Sequence, residues 1–183
     1  MSFPNTFPVG LPVQWYKPAQ LSLPNTYLKN WLLDTGSLTE RVQSLCHTFS
    51  LTLLGQDTLT PHVNEMALLG DAHEAQYQIR EVLLCGNDVP WVFARSVIPH
   101  SLIESELSNI GNEPLGKRLF NDARFIRSAF QLCALSAHQL GYDDDITLWG
   151  RRSLFTLSSA SMIVAEVFLP NAPMYDNTLC DSK

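Results

Sequence analysis

The sequence lacks the features that define several common classes of protein. It has no apolar run of ~18 residues, the length that a membrane-spanning helix requires. Its first residues, 1–8, have neither the basic start nor the continuous apolar stretch of a secretory signal. The four cysteines share no CxxC spacing, and the five histidines form no metal-ligand or triad pattern. We therefore expect a cytoplasmic protein with reduced thiols and no metal site.

Positive charge is also scarce. The 183 residues include 12 Lys and Arg against 18 Asp and Glu, which gives a formal net charge of −6. Nucleic acid is not expected as a partner, because a phosphate-binding surface needs clustered Lys and Arg. The composition is globular, with 45% hydrophobic residues. We expect one domain over 1–183, with a proline-rich arm at 1–24 and a tail at 176–183, and a monomer.

Capping residues and apolar stripes predict four short helices. Ser37 and Glu40 form a capping box at the start of the second helix, and Ser101 and Glu104 form one for the third. Pro114 suits the first position of the fourth helix. The four helices are expected over 26–33, 38–46, 102–110 and 114–120.

Six segments are expected to be strands, and 56–75 a long polar connection. Gly86-Asn87-Asp88 is a turn signal that predicts an antiparallel hairpin. In this hairpin Glu81 falls opposite Arg95 as a pair of opposite charge, while Arg80 faces the other side. The expected fold is α+β with a six-stranded antiparallel sheet. The expected strands cover 47–54, 77–85, 91–98, 123–133, 148–157 and 161–169.

Glu166 is the only ionisable residue in the β-prone run 162–169. A carboxylate is costly to bury unless it has a partner, so such a residue is often kept for proton chemistry or ligand binding. Arg80 has a similar position in the run 77–85. An acid and a base on one small apolar sheet suggest a pocket for a small anion. The alternative is structural: Glu166 pairs with an arginine on strand 148–157, and Arg80 lies at the surface.

Eight segments, in order and spacing, resemble the chorismate lyase (chorismate–pyruvate lyase) family of ubiquinone biosynthesis. The resemblance covers roughly residues 28–175. The segments are Trp31-Leu32-Leu33, Ser37-Leu38-Thr39, Ile79-Arg80-Glu81-Val82-Leu83-Leu84-Cys85, Pro90-Trp91, Ala94-Arg95-Ser96-Val97-Ile98-Pro99, Pro114-Leu115-Gly116, Leu148-Trp149-Gly150-Arg151-Arg152-Ser153 and Glu166-Val167-Phe168-Leu169-Pro170.

The resemblance implies a lyase that converts chorismate to 4-hydroxybenzoate and pyruvate without a cofactor, the first step of ubiquinone biosynthesis. It also implies helices over an internal ligand cavity. There Arg80 and the backbone amides of Leu38 and Leu115 hold the product carboxylate, and Glu166 meets the phenolic hydroxyl. Arg80 and Glu166 are thus the expected catalytic residues. The family has methionine where Leu38 stands, a change expected mainly to alter the pocket wall. Both leucines also fall in first helical turns, where unpaired N–H groups attract anions.

The resemblance leaves three questions open. The enolpyruvyl carboxylate of chorismate needs a positive partner, and Arg95, Arg151 and Arg152 are the candidates. Glu166 either acts as a base or only orients the substrate. The alternative function is a non-catalytic domain of the same fold that binds a small aromatic acid, as in effector-sensing transcription regulators. Those regulators carry a helix-turn-helix region, for which the proline-rich residues 1–24 are too few.

Overall fold

The computed structural model describes residue 3 and residues 6–70, 76–108 and 114–176. None of its helices is both long and apolar enough to cross a membrane. The strands of the described ranges are β1 (Phe49–Thr58), β2 (Tyr77–Gly86), β3 (Val89–Pro99), β4 (Ile126–Arg127), β5 (Gln131–Ser136), β6 (Thr147–Leu157) and β7 (Ala160–Phe168). The α-helices are α1 (Thr26–Leu32), α2 (Leu38–Ser44), α3 (Val63–Leu69), α4 (His100–Leu102) and α5 (Leu115–Asn121).

These strands form one antiparallel sheet in the order β1-β2-β3-β7-β6-β4, with β5 also paired to β6. The α+β class is confirmed, but the sheet has seven strands and not six. The predicted strand 123–133 is two strands, β4 and β5, which both pair with β6. Arg127 lies opposite Phe155 and Gln131 opposite Arg152. The four residue positions from Arg127 to Gln131 correspond to only three positions along β6, so one extra residue interrupts the pairing with β6 between β4 and β5.

Two further predictions need correction. The segment 56–75 is not one polar connection, because β1 continues to Thr58 and α3 follows. The third predicted helix begins at His100, directly after Pro99, so Ser101 is not its cap. It continues as a π-helical stretch, Ile103–Leu107, and its predicted end falls among residues 109–113, outside the described residues.

The hairpin of β2 and β3 agrees with its prediction. Asn87 and Asp88 both have positive φ, 51° and 63°, the pair that a two-residue type I′ turn requires. The side-chain Oδ1 of Asn87 also accepts the backbone N–H of His47 at 2.9 Å, which ties the start of β1 to the turn. Glu81 lies directly opposite Arg95, as expected.

The two faces of the sheet have different coverings. We call the face that carries Glu166 the helix face; α1, α2 and α5 pack on it around residues such as Trp31, Phe168 and Val164. We call the opposite face, which carries Arg95, the arm face. It is covered by α3 and by the N-terminal segment, whose Phe3 packs against Phe93. Both faces are therefore buried.

Three of the buried charged side chains on the arm face contact one another and form the arm-face ion cluster: Glu65, Glu81 and Arg95. Arg95 Nη1 donates to Glu81 Oε1 at 2.8 Å, and its Nε donates to Glu65 Oε1 at 2.7 Å. The N-terminal segment completes the cluster, because the backbone N–H groups of Val9 and Gly10 donate to the Glu81 carboxylate at 2.7 and 2.9 Å. A buried carboxylate is tolerated when its oxygens are hydrogen-bonded in this way.

Candidate active site

A cavity of about 240 Å³ lies on the helix face. The starts of α2 and α5 form one side, and β6, β7 and the segment after α5 form the others. Its walls are mostly apolar with a few charged groups, the usual character of a small-molecule pocket. Its aromatic lining consists of Phe120, Phe125, Phe130 and Phe155, and its polar lining includes Ser37, Asp122, Arg127, Arg151, Ser153 and Glu166.

Glu166 and Arg151 form an ion pair in the cavity wall. The register of β6 and β7 places them opposite one another, and Arg151 Nε donates to Glu166 Oε2 at 2.7 Å. Their side chains are 3% and 15% exposed, respectively. The structural alternative for Glu166 is therefore present, but it occupies one carboxylate oxygen. Within the described residues Oε1 accepts no hydrogen bond, so it remains for a ligand.

Arg151 also fixes the covering helix. Its Nη1 donates to the backbone carbonyls of Trp31 at 3.1 Å and Asp34 at 2.8 Å. These two carbonyls lie at the end of α1 and in the loop that leads to α2. Arg151 thus joins the catalytic candidate Glu166 to the segment that roofs the cavity.

Arg80 lies on the same face of the sheet as Glu166. It is opposite Ser96 on β3, which is opposite Val164 on β7, two residues before Glu166. This register puts the Cα atoms of Arg80 and Glu166 ~12 Å apart, across two strand spacings and two residues. Arg80 is buried and not at the surface, and burial lowers the pKa of its guanidinium group. It is not among the described lining residues, but Val164, two strands away on β7, is.

Leu38 and Leu115 are the first residues of α2 and α5, so both lie in the first turns predicted for them. Ser37 caps α2, with its hydroxyl accepting Glu40 N–H at 3.3 Å. Pro114 is the cap of α5 and not its first helical residue. The two helices pack against one another. Leu38 lines the cavity, and so does Gly116, the neighbour of Leu115.

The three candidates for the second carboxylate do not lie together. Arg151 alone points its guanidinium group to the helix face. Arg95 is on the arm face and is fully engaged with Glu65 and Glu81. Arg152 borders the cavity, but its Nε donates to Gln131 on the edge strand at 2.8 Å and its guanidinium stacks over the ring of Trp15. Burial lowers the pKa of Arg152 to about 10.

The structure corrects the expectation for Arg95 and Arg152, because successive residues of a strand face opposite sides. Arg151 and Arg152 must diverge, and the pair of Glu81 with Arg95 falls on the side away from Glu166. The same alternation, applied together with the strand register, identifies Arg95 and Arg152 as residues of the arm face.

Arg127 and Ser153 are among the polar residues of the cavity that were not predicted as site residues. Arg127 on β4 lies opposite Phe155, and its Nη2 donates to the backbone carbonyl of Thr35 at 3.0 Å. The Ser153 hydroxyl is buried and has no hydrogen-bond partner in the part of the chain that the structure describes. The signal for Arg127 was available: it is an arginine in the apolar run Phe125-Ile126-Arg127, the same pattern that singled out Arg80.

A helix-covered antiparallel sheet with an acid and arginines around a pocket is the arrangement expected of a protein that binds a small anionic molecule. The fold is similar to that of PhnF from Mycobacterium smegmatis, with a TM-score of 0.56 and 16% identity over 76% of this chain and 66% of that one. At this identity the likeness concerns the fold alone.

The sequence matches the chorismate lyase family over residues 11–180. A probable chorismate pyruvate-lyase of Pseudoalteromonas atlantica is 42% identical over 97% of this chain and 96% of its own length. One of Shewanella loihica is 36% identical over 91% of this chain and 93% of its own. The chain therefore belongs to the chorismate lyase family, which confirms the resemblance seen in the sequence.

Proposed function

We propose that the protein is a chorismate lyase that releases pyruvate from chorismate and leaves 4-hydroxybenzoate. The observation that carries the proposal is the ion pair of Arg151 and Glu166 in the wall of a pocket on the same face as Arg80. Membership in the family supplies the substrate class. Glu166 in the pocket wall and Arg80 on the same face of the sheet supply groups for the polar ends of the substrate.

We propose that Arg80 and Glu166 meet opposite ends of the aromatic ring. The ring carboxylate and the C4 hydroxyl of chorismate lie across the ring from one another, as do the two groups of 4-hydroxybenzoate. A separation of ~12 Å between Cα atoms leaves room for two side chains and a ring between them. The N–H groups of Leu38 and Leu115 have no acceptor within their own helices and supplement Arg80 at the carboxylate end.

The reaction needs no external electron acceptor, because the C4 hydrogen and the enolpyruvyl group leave together and the ring becomes aromatic. The C3–O bond breaks, and the enolpyruvyl oxygen keeps its electrons and becomes the carbonyl oxygen of pyruvate. In an elimination the C4 hydrogen leaves as a proton to the Glu166 carboxylate, and the released enolpyruvate takes up a proton at its methylene carbon. In a cyclic transfer the C4 hydrogen passes directly to that carbon. In both routes Glu166 accepts a hydrogen bond from the C4 hydroxyl, and the pocket fixes the geometry.

The deciding experiment is an assay of the purified protein with chorismate. Absorbance measures 4-hydroxybenzoate, and coupled reduction by lactate dehydrogenase measures pyruvate. We expect the two products in equal amounts. Binding of chorismate or 4-hydroxybenzoate without pyruvate release would overturn the proposal in favour of the non-catalytic binding domain, which no described feature favours.

The proposal extends to the setting of the enzyme. We infer a monomer in the cytoplasm that supplies 4-hydroxybenzoate to ubiquinone biosynthesis. The spacing of the cysteines and the family resemblance support this assignment. Sedimentation equilibrium at micromolar concentration tests the oligomeric state, and a dimer would contradict it.

A further inference from the structure

The cavity contains a cation to which the proposed roles give no task. Arg127 is half-buried and lines the pocket from the edge strand β4, opposite Phe155 of β6. Of its five N–H donors, one is used within the described residues, in the bond from Nη2 to Thr35 O. Its guanidinium carbon lies 4.6 Å from the centre of the Phe130 ring. Stacking fixes the plane of the group and leaves its edge free for a planar anion.

Arg151 is the more committed of the two neighbouring cations. It binds Glu166 and two backbone carbonyls at once. Its loss would therefore change the roof of the pocket as well as its charge. Arg127 donates one hydrogen bond, to the Thr35 carbonyl, so more of its N–H groups are available to bind a ligand.

The charges in the lining do not cancel. Asp122 is bonded to Arg124, which lies outside the described lining, at 2.7 Å. The remaining charged residues of the lining are Arg127, Arg151, Arg152 and Glu166. The guanidinium group of Arg152 is turned to the arm face, so the other three leave one positive charge in excess on the helix face. Burial and the nearby Arg151 both lower the pKa of Arg127, and Glu166 opposes them. The guanidinium carbon of Arg151 also lies over the Phe130 ring, 4.8 Å from its centre, and an anion bound beside these two cations relieves their repulsion.

We infer that Arg127 binds the enolpyruvyl carboxylate of chorismate, the second carboxylate of the substrate. This inference rests on the proposed function and replaces Arg95 and Arg152 in that role. The ring carboxylate is shared by substrate and product, whereas the enolpyruvyl carboxylate departs with pyruvate. Arg127 is thus a residue that distinguishes chorismate from 4-hydroxybenzoate.

The test compares Arg127→Gln with Arg124→Gln. Arg124 is three residues away, and its side chain is 59% exposed and paired with Glu106 and Asp122, so it is a matched control. Loss of a charge-assisted bidentate contact predicts that Arg127→Gln raises KM for chorismate ~10- to 100-fold. We expect the inhibition constant of 4-hydroxybenzoate to stay within about twofold. Arg124→Gln is expected to stay close to the parent protein, because the partner Asp122 is 25% exposed and solvent screens its charge. Arg127→Lys, which keeps the charge without the planar fork, is expected to fall between.

The readouts separate the possible failures. An unchanged KM in Arg127→Gln overturns the inference, and so does an equal loss of affinity for chorismate and 4-hydroxybenzoate. If the parent protein releases no pyruvate, the proposed function fails first. Calorimetry then measures the binding of chorismate and 4-hydroxybenzoate to the parent protein and to Arg127→Gln. These affinities decide the role of Arg127, because the inference predicts a loss of affinity for chorismate alone and does not depend on turnover.

Discussion

At the scale of single residues, Glu166 is held by Arg151 and still keeps one oxygen for a ligand. Glutamine preserves the size of the side chain but removes the negative charge that Arg151 Nε binds. We expect Glu166→Gln to lower kcat by at least about tenfold, a loss of ~1.4 kcal/mol in transition-state stabilisation, with little change in KM. Steady-state pyruvate release measures both. Near-normal turnover would exclude Glu166 as an obligatory base.

Arg80 is expected to act on both ligands, unlike Arg127. We expect Arg80→Met to weaken the binding of chorismate and of 4-hydroxybenzoate alike, by ~10- to 100-fold, because both contain the ring carboxylate. Isothermal titration calorimetry measures the two affinities, and circular dichroism shows whether the variant is folded. An unchanged affinity for 4-hydroxybenzoate in a folded variant would remove Arg80 from the proposed site.

At the scale of the elements, the contact between β6 and β7 depends on Gly150. A Cβ atom there would lie 2.8 Å from Cys133 Sγ and 2.9 Å from the backbone oxygen of Glu166, which cannot move aside alone. We expect Gly150→Ala to lower the free energy of unfolding by ~1–3 kcal/mol and to reduce activity by displacing Glu166. Urea unfolding gives the first value, and the pyruvate assay gives the second.

Gly116→Ala is the matched control for stability. A Cβ atom at this position would meet only Thr39 Oγ1, at an ordinary 3.8 Å. Alanine is also the better helix former inside α5. Equal destabilisation by the two substitutions would show that close packing at Gly150 is not the cause.

The elements that the sequence predicts correctly are those with a strong local signal. Ser37 caps α2, and Gly86-Asn87-Asp88 forms the turn that pairs Glu81 with Arg95. The helix α3 was missed because its buried face includes Glu65, whose charge hides the apolar stripe until its partner Arg95 is known. The division of the predicted strand 123–133 was missed because it depends on the register against β6, which is a long-range property.

The same limit applies to the candidate site. Glu166 and Arg80 stand out within their own runs, so composition and spacing suffice to single them out. The partner of Glu166 and the face of each arginine require the strand order, because only that order shows that Arg151 is the neighbour and that Arg95 lies behind the sheet. Arg127 has a similar local signal, but its place in the pocket depends on the separate pairing of β4 with β6, which the prediction of one continuous strand over 123–133 did not contain.

At the scale of the whole molecule, the arm-face ion cluster joins three parts of the chain. Arg95 binds Glu81 of the sheet and Glu65 of α3, and Glu81 accepts the N–H groups of the N-terminal segment. We expect Arg95→Met to lower the free energy of unfolding by ~3–5 kcal/mol, because two buried carboxylates lose their cation. Urea denaturation followed by tryptophan fluorescence measures the change.

Arg124→Gln again provides the contrast, since it removes an exposed arginine with two carboxylate partners. Its unfolding midpoint is expected to equal that of the parent protein, because exposed pairs contribute little. If Arg95→Met had the same free energy of unfolding as the parent protein, the ion cluster would stabilise the fold no more than an apolar side chain does at this position.

The neighbours Arg151 and Arg152 point to opposite sides of β6, one to the pocket and the other to the arm face. Directed evolution of ligand preference can therefore mutate every second codon of β6 and β7 and leave the supporting surface untouched. A deletion of one codon within β6, in contrast, exchanges the two surfaces for the remainder of the strand and abolishes both at once. Insertions belong in the turn at Ser158 and Ser159, where they leave the alternation of side chains between the two faces unchanged in both β6 and β7.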